Sequence, residues 1–255
     1  MTTTKRLDTF GAFAPAYTIS NEDQRWATRA VPGVKKVLTV AGSGDQALFY
    51  HLNGAGLVHT FDMTYNARVI QDIKFAAIQK MNPREYFGLL MDLYFFTPAT
   101  SLPSLKKVLP LLPGETTKII NTAGNNFIFG AGLDAAQYPD NIPTAEEFAR
   151  LKNTLKKPFK FTQGDLYDLS AKISGKYDLI NISNIFDYCY DGKAQAEILH
   201  NLGNNLNIGG YIAYLPQVQR FSYDRLNLAT SQNTVQYAQT LRNKDSKMIL
   251  FQRTR

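Results

Sequence analysis

Residues 37–62 read VLTVAGSGDQALFYHLNGAGLVHTFD, and this stretch decides the fold. Val37, Leu38, Thr39 and Val40 form a short apolar, β-branched run, the pattern of a strand buried on both faces. Ala41, Gly42, Ser43 and Gly44 follow as a turn of small residues. Such residues tolerate positive φ and let a ligand approach the backbone closely. From Asp45 to Leu52 the apolar positions Ala47, Leu48 and Leu52 fall at helical spacing. Asn53-Gly-Ala-Gly56 closes that helix, Leu57 to Phe61 forms a second strand, and Asp62 stands at its carboxyl end.

A glycine turn that opens a helix offers unpaired backbone N–H groups and the positive end of the helix dipole. An acid at the end of the next strand can accept both hydroxyls of a ribose. Asp62 follows Asp45 by 17 residues, near the spacing of about 20 in a nucleotide fingerprint. The turn does not complete G-x-G-x-x-G, because position 47 is Ala. This departure points away from a pyrophosphate-binding, nicotinamide-dependent dehydrogenase. It points towards S-adenosylmethionine, an adenosine without phosphate.

Outward from this stretch the alternation of strands and helices continues. Met63 to Lys80 reads as a helix ended by Asn82-Pro83. Phe159–Thr162, Tyr177–Ser183 and Tyr211–Leu215 read as further strands, with a helix over Ala194–Leu206. Thr234–Leu241 and Met248–Arg253 read as a terminal hairpin. The expected architecture is α/β: a Rossmann-like, seven-stranded, mostly parallel sheet with a C-terminal antiparallel hairpin. Residues 1–255 form a single domain in this reading. Residues 1–34 are an N-terminal cap, in which Ser20-Asn-Glu-Asp23 opens a helix or brings a polar cluster over the site. Residues 83–156 exceed any ordinary connection and form a helical insertion, expected to build the substrate wall. It holds helices over Arg84–Phe95, around Ser101–Leu109 and from about Glu115, a glycine- and aromatic-rich loop at 124–132, and a helix opened by the capping box Thr144–Glu147.

Composition narrows the function classes. The chain has 255 residues, 44% hydrophobic, with a net charge of +7. The basic residues are dispersed and no recognition helix or zinc knuckle is present, so no specific nucleic-acid partner is expected. Contact with an anionic membrane surface is compatible with the charge. One cysteine, Cys189, excludes an intramolecular disulfide and fits a buried small hydrophobe in a reducing, cytoplasmic setting. His51, His59 and His200 do not fall at metal-ligand spacing, so no metal site is expected.

With these residues placed, the chain resembles the S-adenosylmethionine-dependent methyltransferase-fold superfamily, class I, over roughly 35–80 and 157–255. In ordinary members the first strand carries an acid and three alternating glycines. Here those places hold Thr39, Ala41, Ser43 and Asp45. The motif 37–48, the patch Asn21-Glu-Asp23 and the segment Ser183-Asn-Ile-Phe-Asp-Tyr188 are similar to the betaine-lipid-type 3-amino-3-carboxypropyl transferases and their uncharacterised bacterial relatives. The resemblance implies a transferase that binds S-adenosyl-L-methionine. Methyl transfer is one reaction and aminocarboxypropyl transfer to a lipid or amine the alternative. A non-catalytic sensor of the same cofactor is a third reading.

It also implies roles. Ala41, Gly42, Ser43, Gly44 and Asp45 would hold the methionine end of the cofactor. Asp62 would take the ribose, with Met63 against the adenine, and Asp165 and Leu166 would bracket the base. Ser183, Asn184, Asp187 and Tyr188 would face the sulfonium, and Asn21 and Glu22 would close the site. Asp187, Tyr188 and Glu22 are the candidate bases. The acceptor (lipid, small molecule, peptide or RNA) is left open.

Overall fold

The computed structural model describes residues 16–95, 103–123, 129–130, 139–189, 191–216, 237–243 and 247–255. Seven strands form the main sheet: β1 (Lys36–Val40), β2 (Leu57–Asp62), β3 (Lys160–Gln163), β4 (Tyr177–Asn181), β5 (Leu206–Tyr214), β6 (Tyr237–Asn243) and β7 (Lys247–Arg253). Their order across the sheet is β3-β2-β1-β4-β5-β7-β6. The first five are parallel to one another, while β7 runs antiparallel to both β5 and β6. This is the α/β, Rossmann-like architecture with a terminal hairpin.

The helices follow from the local sequence. In chain order they are α1 (Gln24–Ala27), α2 (Asp45–Leu52), α3 (Tyr65–Lys80), α4 (Pro83–Phe95), α5 (Pro103–Lys106), α6 (Gly114–Ala123), α7 (Ala145–Thr154), α8 (Leu166–Lys172) and α9 (Gly192–Gly203). Thr144 and Glu147 complete the expected capping box at α7. No helix among the described residues is long and apolar enough to cross a membrane.

Strand β1 is buried on both faces. Val37 belongs to an apolar cluster with α2, α3 and helices α4 to α7, and Leu38 to a second cluster with α8 and α9. The continuous apolar run is thus explained by two covered faces rather than one.

Several boundaries differ from the sequence reading. Strand β5 begins at Leu206, not Tyr211, because Asn207-Ile-Gly-Gly210 is absorbed into the strand. The register against β4 shifts between Tyr177 and Leu179, and Gly209 takes φ +82° at the irregularity. Helix α9 accordingly stops at Gly203 instead of running to Leu206. Helix α8 was not expected at all. Of the loop at 124–132 only Phe129–Gly130 is described, as a short strand; residues 101 and 102 of the Ser101–Leu109 segment and the Thr234–Gln236 start of the hairpin lie outside the described residues.

Candidate functional site

The site opens at the carboxyl ends of β1, β2 and β4, where strand order reverses direction. Here β2 follows β1 on one side and β4 on the other, the switch point at which open α/β sheets take ligands. A cleft of about 210 Å³ lies there. It is lined by Tyr17 and Ser20 to Glu22 of the N-terminal strap, the turn after β1, the end of β2 and the segment after β4.

The turn is shaped by two glycines. Gly44 is the left-handed N-cap of α2, at φ +84°. A Cβ on it would stand 3.1 Å from the Gln71 backbone, so α3 can approach only a glycine. Gly42, at φ +48°, has the opposite surroundings. A Cβ there would meet nothing within 4 Å, so the turn's backbone faces open space over the cleft.

Asp62 ties the turn to β2. Its carboxylate accepts the Gly42 N–H (3.0 Å) and the Thr64 N–H (3.1 Å). Burial raises its pKa above the ordinary carboxylate value, against the lowering effect of those amides. A carboxylate has about four acceptor positions. The Met63 amide also bears on it, and acceptor capacity is left towards the cleft.

Glu22 reaches the cleft from the strap and is buried. One carboxylate oxygen accepts the Ser183 hydroxyl. The other accepts the amide nitrogens of Gln46 (2.8 Å) and Gln24 (3.2 Å). Gln46 in turn accepts the hydroxyl of Thr39, so a chain of bonds runs from β1 to the strap. Glu22 makes no ion pair with a described residue, and burial raises its pKa. Ser183, its partner, has φ +51°, the only positive value among described non-glycine residues. Its N–H is fixed by the Asn181 side chain (2.8 Å). Local strain of this kind persists where the surroundings over-determine it.

The strap is held from a distance. The Asn141 amide donates to the carbonyls of Ser20 (2.9 Å) and Glu22 (2.6 Å) and accepts the Gln24 N–H (3.0 Å). Arg25 forks onto Glu147 and lies 4.9 Å over the Phe49 ring.

The expected site residues divide. Asn21, Glu22, Ala41, Gly42, Ser43, Asp62, Ser183, Asn184 and Tyr188 line the cleft. Asp45 does not. It is buried, ion-paired to the equally buried Lys74, and accepts the Ser20 N–H and Ser43 hydroxyl. As the first residue of α2 it holds the strap, the turn and α3 together. Gly44 and Met63 sit beside the cleft without lining it. Asp165 is the N-cap of α8, its carboxylate accepting the Tyr167 N–H and its own N–H bonded to Asp168. Leu166 is a core side chain. Asp187 accepts the Tyr214 hydroxyl from the end of β5 and is not a lining residue.

Ser20, of the polar cluster expected over the site, also lines the cleft; Tyr17, Val40, Gln46, Thr64 and Ala67 line it too and were missed by sequence reasoning. Gln46 was legible as the residue after Asp45 in the turn. Nothing in the local sequence marks Asn141.

No protein-family model matches the chain, and no curated protein matches it. Solved structures do resemble it. One is the rRNA methyltransferase AviRa of Streptomyces viridochromogenes (14% identity, 99% of this chain and 93% of that one, TM-score 0.49). Another is the N-methyltransferase NodS of Bradyrhizobium japonicum in complex with S-adenosyl-L-homocysteine (9% identity, 91% and 83%, TM-score 0.42). A third is the ribosomal protein L11 methylase of Lactobacillus delbrueckii (12% identity, 91% and 75%, TM-score 0.42).

Proposed function

We propose that this chain is a transferase that binds S-adenosylmethionine and acts as a methyltransferase-like enzyme. The observation that carries this reading is the charge of the cleft. In a chain of net charge +7, the described lining holds two carboxylates, Glu22 and Asp62, and no lysine, arginine or histidine. Phosphate recognition calls for cationic side chains or a glycine-rich amide nest. Of these the cleft has only the short turn, whose Gly42 N–H is already given to Asp62. An adenosine with a cationic tail and no phosphate fits that lining.

In this reading Asp62 accepts the ribose hydroxyls and the turn at Ala41–Ser43 lies along the amino-acid tail. Ser183, Asn184 and Tyr188 face the carbon that reacts. The cofactor supplies the activated carbon; the protein supplies orientation.

The test is incubation of the purified chain with S-adenosylmethionine and a cell extract, with the nucleoside product identified by mass spectrometry. S-adenosylhomocysteine is the expected product. Methylthioadenosine above the spontaneous background would replace methyl transfer with aminocarboxypropyl transfer. Absence of both, together with no thermal stabilisation by S-adenosylhomocysteine, overturns the reading.

A further inference from the structure

We propose that Glu22 is the anchor for the protonated amine of the cofactor's amino-acid tail, a subsite supplied by the N-terminal strap; this inference rests on the reading above. Three observations carry it. First, position: Glu22 shares the cleft wall with Ala41, Gly42 and Ser43 and bonds to Gln46 of α2 and Ser183 after β4, so it lies between the two parallel strands that frame the switch point.

Second, the chemistry of its partners. Three donors converge on this carboxylate, all of them neutral. A buried carboxylate carries a large desolvation cost that neutral donors offset only in part. With three of about four acceptor positions used, one is left for a ligand. A ligand ammonium in that position supplies the missing opposite charge. Asp187 lies near enough to add negative potential.

Third, the support. The strap is fixed by Asn141 on both sides of Glu22 and by Asp45 at Ser20, and Ser183 holds a strained backbone to present its hydroxyl. A side chain serving only as filler would not need a charge at its end.

Glu22→Gln tests this with little disturbance. The glutamine oxygen can accept from Gln46 and Gln24, and its amide can donate to Ser183, whose hydroxyl turns to accept. Calorimetry on the full chain compares three probes: S-adenosylhomocysteine, its analogue lacking the amine, and 5′-methylthioadenosine, which lacks the whole tail. The wild type is expected to prefer S-adenosylhomocysteine over the deaminated analogue by about tenfold or more. Glu22→Gln is expected to remove that preference, leaving the two tail-deficient probes within about twofold of their wild-type affinities. It is also expected to melt at or above the wild-type temperature, since an uncompensated buried charge is gone.

Equal weakening of all three probes, an undiminished preference for the amine, or collapse of the fold in Glu22→Gln overturns the proposal. If the wild type binds methylthioadenosine under any of these outcomes, the cofactor reading stands without the Glu22 anchor. If it binds none of the three, both fall.

Discussion

Asp62 is half-buried and Glu22 buried, and the two carboxylates do different work. Asp62 closes the turn on β2 through Gly42 and Thr64 while keeping acceptor capacity towards the cleft. Asp62→Asn turns one acceptor oxygen into a donor facing a backbone N–H. It is expected to weaken S-adenosylhomocysteine binding at least about tenfold and to lower stability by about 1–3 kcal/mol, read by calorimetry and urea unfolding. Glu22 has a second signature, in pH. Its folded pKa lies above its ordinary 4.5, so folded and unfolded chains are both protonated below that value and no penalty exists there. The penalty accrues as pH rises through the folded pKa. The stabilisation of Glu22→Gln over wild type should therefore be small near pH 4.5 and larger at pH 8, by thermal melts of the unliganded chains. His59 has the opposite sign. Buried with Tyr177 (2.6 Å) and Thr162 (2.9 Å) on its ring nitrogens, it has its pKa lowered from 6.5 to about 4 by burial and then by Lys160. Its contribution is complete above 6.5 and is lost as pH falls towards 4, roughly 3 kcal/mol at 1.36 kcal/mol per unit. His59→Gln should flatten that part of the stability–pH curve. Asp62 could be found in the sequence because its place is set by the strand that precedes it. Asn141 could not, because its role exists only once a segment more than a hundred residues away has docked on it.

At the level of elements, the turn after β1 depends on the pair Asp45–Lys74, which joins the start of α2 to the middle of α3. Both side chains are buried, so removing one leaves the other uncompensated. Lys74→Met is expected to cost about 3–5 kcal/mol in urea unfolding, and replacing both partners by apolar residues of similar volume much less. Neither residue gave a charge-pair signal in the sequence, because they lie on different helices. Helix α8 is hard to read for another reason: it is short, and its capping box, Asp165-Leu-Tyr-Asp168, is built from two acids rather than a Ser or Thr with a Glu. By contrast α2, α3 and α7 were legible from apolar spacing and caps, which are local properties. The strand β5 was cut short in the reading because Gly209-Gly210 resembles a turn. The sheet instead admits it as an irregularity, in which Gly210 lies close to the carbonyls of Tyr177 and Asp178.

Over the whole molecule, a positive chain carries a cleft whose described lining is acidic. Nucleotides with phosphate should therefore fail to stabilise it. Thermal-shift titration with NAD and with ATP should give no change at concentrations where S-adenosylhomocysteine gives a clear increase. The mostly parallel sheet and its antiparallel hairpin were legible because strands alternate with helices until the last two, which follow one another across a short polar turn. The resemblance implied that Asn21 and Glu22 close the site, and both line the cleft; what lay beyond the sequence was the hold on them, since the Asn141 contacts follow from no local pattern. That closure has a consequence for assembly in time. Gln24 and Asn141, which meet through one hydrogen bond, are separated by 117 residues, so the strap, the first described part of the chain to be synthesised, must wait until residue 141 has been made. Such a contact carries a loop-closure cost that helices and neighbouring strands do not. In pulse-labelled refolding, the amides of β1 and β2 should gain protection before those of residues 20–24. The polypeptide then acquires its sheet first and its binding competence last, and Asn141→Ala should lengthen that interval while leaving the earlier phase unchanged.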